Sequence, residues 1–64
     1  MQVNGKKIEI SEDITVSQLL EMLNLKSETV IVEKNGDIIA KENYNKITVC
    51  NDDALELVSF VGGG

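Results

Sequence analysis

The stretch Ala54-Leu55-Glu56-Leu57-Val58-Ser59-Phe60-Val61-Gly62-Gly63-Gly64 decides how this chain is read. Leu55 and Leu57 alternate with Glu56, the pattern of a strand buried on one face. Past Leu57 the apolar residues continue on the other side. Val58 and Phe60 share the face of Glu56, opposite Leu57. Unless a loop or a neighbouring strand covers them, they form an apolar docking patch that leads through Val61 into three glycines. Glycine loses more conformational freedom on ordering than any other residue, so a glycine run resists folding. The expected organisation is a folded domain over 1–60 and a flexible reactive tail over 61–64.

Gly62, Gly63 and Gly64 have no Cβ atoms, so they fit a channel too narrow for side chains. An extended segment of four residues reaches about 13 Å beyond the strand. Its α-carboxyl group, with an ordinary pKa of about 3.3–3.7, is ionised at neutral pH. A carboxylate is a poor electrophile and must be activated, for example as an acyl-adenylate, before a nucleophile can attack it. An unhindered glycine lets a partner surround the carbonyl from every side. The tail therefore reads as that of a carrier whose reactive group is the Gly64 carboxyl.

Working back from the last strand, two Asn-Gly pairs stand out, Asn4-Gly5 and Asn35-Gly36. Each is a strong signal for a two-residue hairpin turn, because both central positions need positive φ. The first predicts a hairpin of Met1–Val3 with Lys7–Ile10, Ile8 and Ile10 facing inward. The second predicts Thr29–Glu33 paired with Asp37–Ala40. Between them Val16, Leu19, Leu20 and Leu23 follow the i, i+3, i+4, i+7 spacing of a helix face. Thr15 and Gln18 have the spacing of a capping box, and Asn24 is a stop signal. Lys41–Lys46 predicts a loop with one turn of helix, pinned by Tyr44. Ile47–Cys50 reads as a short strand and Asn51–Asp53 as a polar turn. The expected fold is α+β, a mixed sheet packed on one main helix, in which the first hairpin and last strand pair through a right-handed crossover.

Composition narrows the function. The 64 residues hold eleven acidic groups against six lysines, no arginine and no histidine, for a net charge of −5. That balance disfavours nucleic acid and anionic membranes, and suits either solubility or a partner with a basic surface. Without histidine there is no Ser-His or Cys-His nucleophile pair, and no zinc set of standard ligands. No Walker-type or G-x-G-x-x-G loop is present. The longest apolar runs are too short to span a membrane. The single Cys50 excludes an internal disulfide and fits a reducing, cytoplasmic setting.

Cys50 reads as a small apolar residue, with no histidine, arginine or helix N-terminus in view to lower its pKa. Glu12-Asp13 and Asp52-Asp53 read as solvated turn carboxylates, too few for a metal site. The scattered lysines read as ordinary surface.

Over its whole length the chain resembles the sulfur carrier proteins of thiamine biosynthesis, the ThiS family, within the ubiquitin-like β-grasp fold. The matching features are Val3-Asn4-Gly5-Lys6, Thr15-Val16 through Leu19-Leu20, Val32-Glu33 with Asn35-Gly36, and above all Leu57-Val58-Ser59-Phe60-Val61-Gly62-Gly63-Gly64. Ala40-Lys41 stands where the family often has Pro-Arg, and Asp52-Asp53 where it usually has Gly-Asp. The resemblance implies a carrier that catalyses nothing and binds no cofactor. An adenylating enzyme using ATP and magnesium would activate Gly64. Sulfur from a cysteine desulfurase or other sulfur donor would then give a C-terminal thiocarboxylate. Thiazole synthase would take that sulfur for the thiazole ring of thiamine. Two other readings share the fold and the glycine end: a carrier of molybdopterin type, and a ubiquitin-like protein modifier.

Overall fold

The computed structural model describes residues 1–60. Both Asn-Gly pairs make the expected turns. Asn4 and Asn35 each have φ of 52°, followed by Gly5 at 83° and Gly36 at 92°. Successive positive φ values define the hairpin turn whose twist matches its strands. The first joins β1 (Gln2–Val3) to β2 (Lys6–Lys7), with Val3 opposite Lys6. The strand expected over Lys7–Ile10 is thus earlier and shorter. Its last ladder bond runs from the Ile8 amide to the Met1 carbonyl at 2.8 Å, where β1 runs out of acceptors. Ile10 pairs instead with the Asn51 carboxamide, at 3.0 and 2.8 Å. Ile8 and Ile10 still lean on the core, half-buried.

Ile14–Thr15 forms β3, which leads into helix α1 (Val16–Met22). The capping box is complete: the Gln18 amide donates to Thr15 Oγ1 at 3.1 Å, and the Thr15 amide donates to Gln18 Oε1 at 2.8 Å. At the far end Asn24 sits at φ 63°. The Leu25 amide donates to the Leu20 carbonyl at 2.8 Å and the Asn24 amide to Glu21 at 3.0 Å, the paired closure that an αL residue permits. Val16, Leu19 and Leu20 are fully buried, as their spacing requires.

A single 3₁₀ turn over Ser27–Thr29 precedes β4 (Val30–Lys34), and the Asn35-Gly36 turn leads to β5 (Asp37–Ile39). A second 3₁₀ turn, Lys41–Asn43, leads to Tyr44. The Tyr44 hydroxyl donates to the buried Val30 carbonyl at 2.7 Å, and its own carbonyl accepts from the Ser17 amide at 2.9 Å. One residue therefore ties the crossover loop to both sheet and helix, through its side chain and its backbone carbonyl. Burial pushes its phenol above the ordinary value of 10.0.

β6 (Thr48–Val49) pairs antiparallel with β3, a two-stranded ribbon for which the sequence signalled only one partner. β7 (Ala54–Ser59) completes a five-stranded sheet in the order β2-β1-β7-β4-β5. It runs parallel to β1 and antiparallel to β4. The core lies between this sheet and α1, with Val3, Val30, Val32, Leu55 and Leu57 meeting Val16, Leu19 and Leu20.

Candidate functional site

The last strand lies in the middle of the sheet, so its register is held from both sides. Val30 to Lys34 face Ser59 to Leu55 residue by residue, and Gln2 and Val3 face Ala54 and Leu55. A one-residue slip would turn Leu55 and Leu57 out of the core. They are 2% and 8% exposed, while Val58 and Phe60 are 58% and 43% exposed. Alternation on β7 thus places both residues on the outer face, as expected. Among the described residues no loop or strand buries them.

The outer face is larger than β7 alone. Ile31 lies directly across from Val58 and is 40% exposed. Ile38 on β5 is 70% exposed and sits opposite Glu33, which in turn faces Glu56. Ile31 and Ile38 were missed in the sequence reading. The signal was available: the two-residue turn fixes the register, and Ile31 then falls between the inward Val30 and Val32. Two carboxylates directly opposite on one face repel each other. The patch of Ile31, Val58, Phe60 and Ile38 is therefore bordered by concentrated negative charge at Glu33 and Glu56.

Lys41 supplies the opposite charge at the other end. Its ammonium lies 5.5 Å from the centre of the Phe60 ring and donates to the Glu28 carbonyl at 2.6 Å. The ring face attracts the cation and the carbonyl fixes it in place. The Phe60 amide donates to the Thr29 carbonyl at 2.9 Å, so the backbone is held in the sheet to the last described residue. Val61, Gly62, Gly63 and Gly64 lie outside the described residues.

Asp53 departs from the solvated turn expected of it. It is 9% exposed and accepts from the Cys50 amide at 2.8 Å and from the Asn35 carboxamide at 2.9 Å. Lys34 Nζ stands 4.0 Å away. Burial alone would raise its carboxyl pKa. The Cys50 and Asn35 hydrogen bonds and the Lys34 charge together outweigh burial and hold it below the ordinary 3.8. Asn35 also accepts from the Ala54 amide at 2.9 Å. This cluster locks the Asn35-Gly36 turn to the start of β7 and so is structural. Cys50 is half-buried with a free thiol. Among the described residues no group of three or more His, Cys, Asp or Glu side chains could hold a metal ion. No helix among them is long and apolar enough to cross a membrane.

A single helix gripped by a mixed sheet, with a parallel pair at its centre and an exposed apolar face on the last strand, defines a ubiquitin-like β-grasp protein. Comparison with known proteins narrows this further. The ThiS family profile matches residues 1–64. The chain is 43% identical to the sulfur carrier protein ThiS of Bacillus subtilis over 65 residues, covering 100% of this chain and 98% of that protein. It is 40% identical over 62 residues to part of a thiazole synthase of Paramagnetospirillum magneticum, covering 97% of this chain but 19% of that protein. The crystal structure of the thiamine biosynthesis protein (ThiS) from Geobacter metallireducens matches with a TM-score of 0.80 at 38% identity, over 98% of this chain and 96% of that one. The chain belongs to the ThiS family, and it is a sulfur carrier rather than an enzyme.

Proposed function

We propose that this protein carries sulfur as a thiocarboxylate on Gly64 and delivers it for thiazole formation in thiamine biosynthesis. The observation that carries the reading is the family match through the glycine end, on a chain whose last strand presents an apolar outer face at its root. The Gly64 carboxylate attacks the α-phosphorus of ATP on an adenylating enzyme, with magnesium, and pyrophosphate leaves. A persulfide from a cysteine desulfurase or other donor attacks the carbonyl carbon and AMP leaves. A thiol then cleaves the S–S bond by exchange and is itself oxidised to a disulfide, leaving the thiocarboxylate. The carrier contributes an unhindered carbonyl and a docking face; ATP and magnesium belong to the partner.

Thiazole synthase is the acceptor in this reading. In support, a protein of that name contains a stretch similar to nearly all of this chain. The roles divide along the chain. Residues 1–60 form the β-grasp domain; docking runs through Val58 and Phe60 and on to Val61, the first residue of the tail. Residues 61–64 are the reactive tail, with Gly62 and Gly63 passing through the partner's channel. The single Cys50, which leaves no internal disulfide to form, supports a reducing, cytoplasmic setting for the carrier.

The test is intact mass. The chain is incubated with the adenylating enzyme from its own genome, ATP, magnesium and a sulfur source. A gain equal to one oxygen replaced by sulfur, mapped to Gly64, supports the carrier. A ladder of higher-mass lysine conjugates would instead identify a protein modifier. Sulfur loading followed by delivery only to a molybdopterin-type acceptor would move the carrier to that pathway.

A further inference from the structure

Backbone groups alternate along β7. Those of Ala54 and Phe60 turn to the β4 side, where Asn35 donates to the Ala54 carbonyl and Phe60 donates to Thr29. Those of Leu55, Leu57 and Ser59 therefore turn to the β1 side. Leu55 is satisfied by the Asn4 amide at 2.9 Å. Leu57 is satisfied on both groups by the Asn4 carboxamide. Here the chain turns away at Asn4-Gly5, and among the described residues the Ser59 amide and carbonyl have no partner on that side.

Beside Ser59 lies an open groove of about 430 Å³, enough for a side chain the size of Leu or Phe. Ile8, Leu23, Leu25 and Leu57 give it an apolar floor, and Lys6 is its one charged residue. An unpaired edge next to an apolar groove is the arrangement used to capture an extended peptide. Main-chain bonds supply affinity and the groove supplies selectivity.

We propose that the enzyme receiving the tail adds an extended segment as a strand beside Ser59, accepting from its amide and donating to its carbonyl. One apolar side chain of that segment fills the groove, and a carboxylate meets Lys6. The occupant follows from position and charge. Gly64 is five positions past Ser59, so an enzyme acting on its carboxyl works within about 17 Å of this edge. The groove carries a lone lysine in a chain of net charge −5, so it selects an apolar-acidic segment. This surface is separate from the outer face with Glu33 and Glu56, and it rests on the carrier reading of the tail.

Hydrogen exchange decides it. The Ser59 amide is followed in the unmodified protein, free and bound to the adenylating enzyme from the same genome. Pairing is expected to slow its exchange by about tenfold or more. In parallel, Ser59→Pro removes only the amide that faces the open edge, while Ser59→Ala keeps it. Affinity is expected to fall about tenfold for Ser59→Pro and to stay within about twofold for Ser59→Ala, with Lys6→Glu also weakened. If Ser59→Pro melts early, the exchange result stands alone, since it needs no variant. Wild type that gains sulfur while its Ser59 amide exchanges equally fast free and bound overturns the edge proposal and leaves the carrier reading intact. Wild type that never gains sulfur overturns the carrier reading and the edge proposal with it. Protection that appears without enzyme and grows with protein concentration reports pairing with a second copy, and also overturns it.

Discussion

The Asn4 carboxamide brackets Leu57: Oδ1 accepts from its amide at 2.8 Å and Nδ2 donates to its carbonyl at 3.1 Å. A side chain thus stands in for the next residue of β1 and extends the ladder after the strand has turned. Asn4→Asp keeps the φ preference and the acceptor but loses the donor, and sets a carboxylate against a carbonyl. It is expected to destabilise the fold by about 1–3 kcal/mol, read from the urea midpoint. A midpoint equal to wild type would show that the Leu57 carbonyl finds another donor.

Leu19 on the helix and Leu57 on the sheet belong to one buried core cluster, at 0% and 8% exposure. Leu19→Ala and Leu57→Ala each leave a cavity and are expected to cost about 2–5 kcal/mol. That is a large part of the stability of a domain this small. Val58→Ala, one position along, is expected to stay within about 0.5 kcal/mol, because its side chain faces water. Chemical denaturation of the three variants checks both statements at once.

Local chemistry made much of this fold legible. The Asn-Gly turns, the Thr15-Gln18 capping box and the Asn24 stop are sequence-adjacent devices, and all three form as expected. The exposure of Val58 and Phe60 followed from strand parity alone. What escaped depends on partners distant in sequence. Asp53 looks like a solvated turn residue until Asn35 and Lys34 are brought to it. β2 looks longer until β1 fixes how many acceptors it offers. Asn4 gave its turn from sequence, but its grip on Leu57 spans nearly the whole chain.

Asp53 carries a pH dependence. Its carboxyl lies below the ordinary value in the folded protein, so the folded state holds the charged form more strongly than the unfolded chain does. The resulting stability is fully present above the unfolded value, about 3.9. It is lost as pH falls through the lower folded value. Asp53→Asn removes this contribution. The melting-temperature gap between wild type and Asp53→Asn is therefore expected to be widest near neutral pH and to shrink in acid. A gap that stays constant with pH would show that hydrogen-bond geometry, not charge, holds the cluster.

Gly63→Leu and deletion of Gly64 separate tail from fold. Both are expected to abolish sulfur loading, the first by blocking a channel fit only for glycine and the second by moving the carboxyl out of reach. Neither variant alters a residue of the buried core cluster, so thermal melting is expected to match wild type. A substantial fall in melting temperature for either variant would make the tail structural. Full loading of Gly63→Leu would rule out a narrow channel.

Phe60 is the most informative residue of the outer face. It is 43% exposed, lies under the Lys41 ammonium and is the last described residue before the tail. An enzyme that takes Gly64 must meet the surface where the tail begins, and a desolvated aromatic there is a typical hot spot. Phe60→Ala is expected to weaken binding to the adenylating enzyme and to thiazole synthase by about 2 kcal/mol, roughly thirtyfold. Its thermal stability should change little, because the Phe60 amide bond to Thr29 survives the substitution. Rising salt should slow association with a basic partner, since Glu33 and Glu56 border the patch, and should leave the Phe60 contribution to dissociation in place. Binding of Phe60→Ala is measured by calorimetry and its folding by thermal melting. A variant that melts far below wild type yet binds normally when folded would make Phe60 a packing residue and leave Ile31 and Val58 to carry the docking.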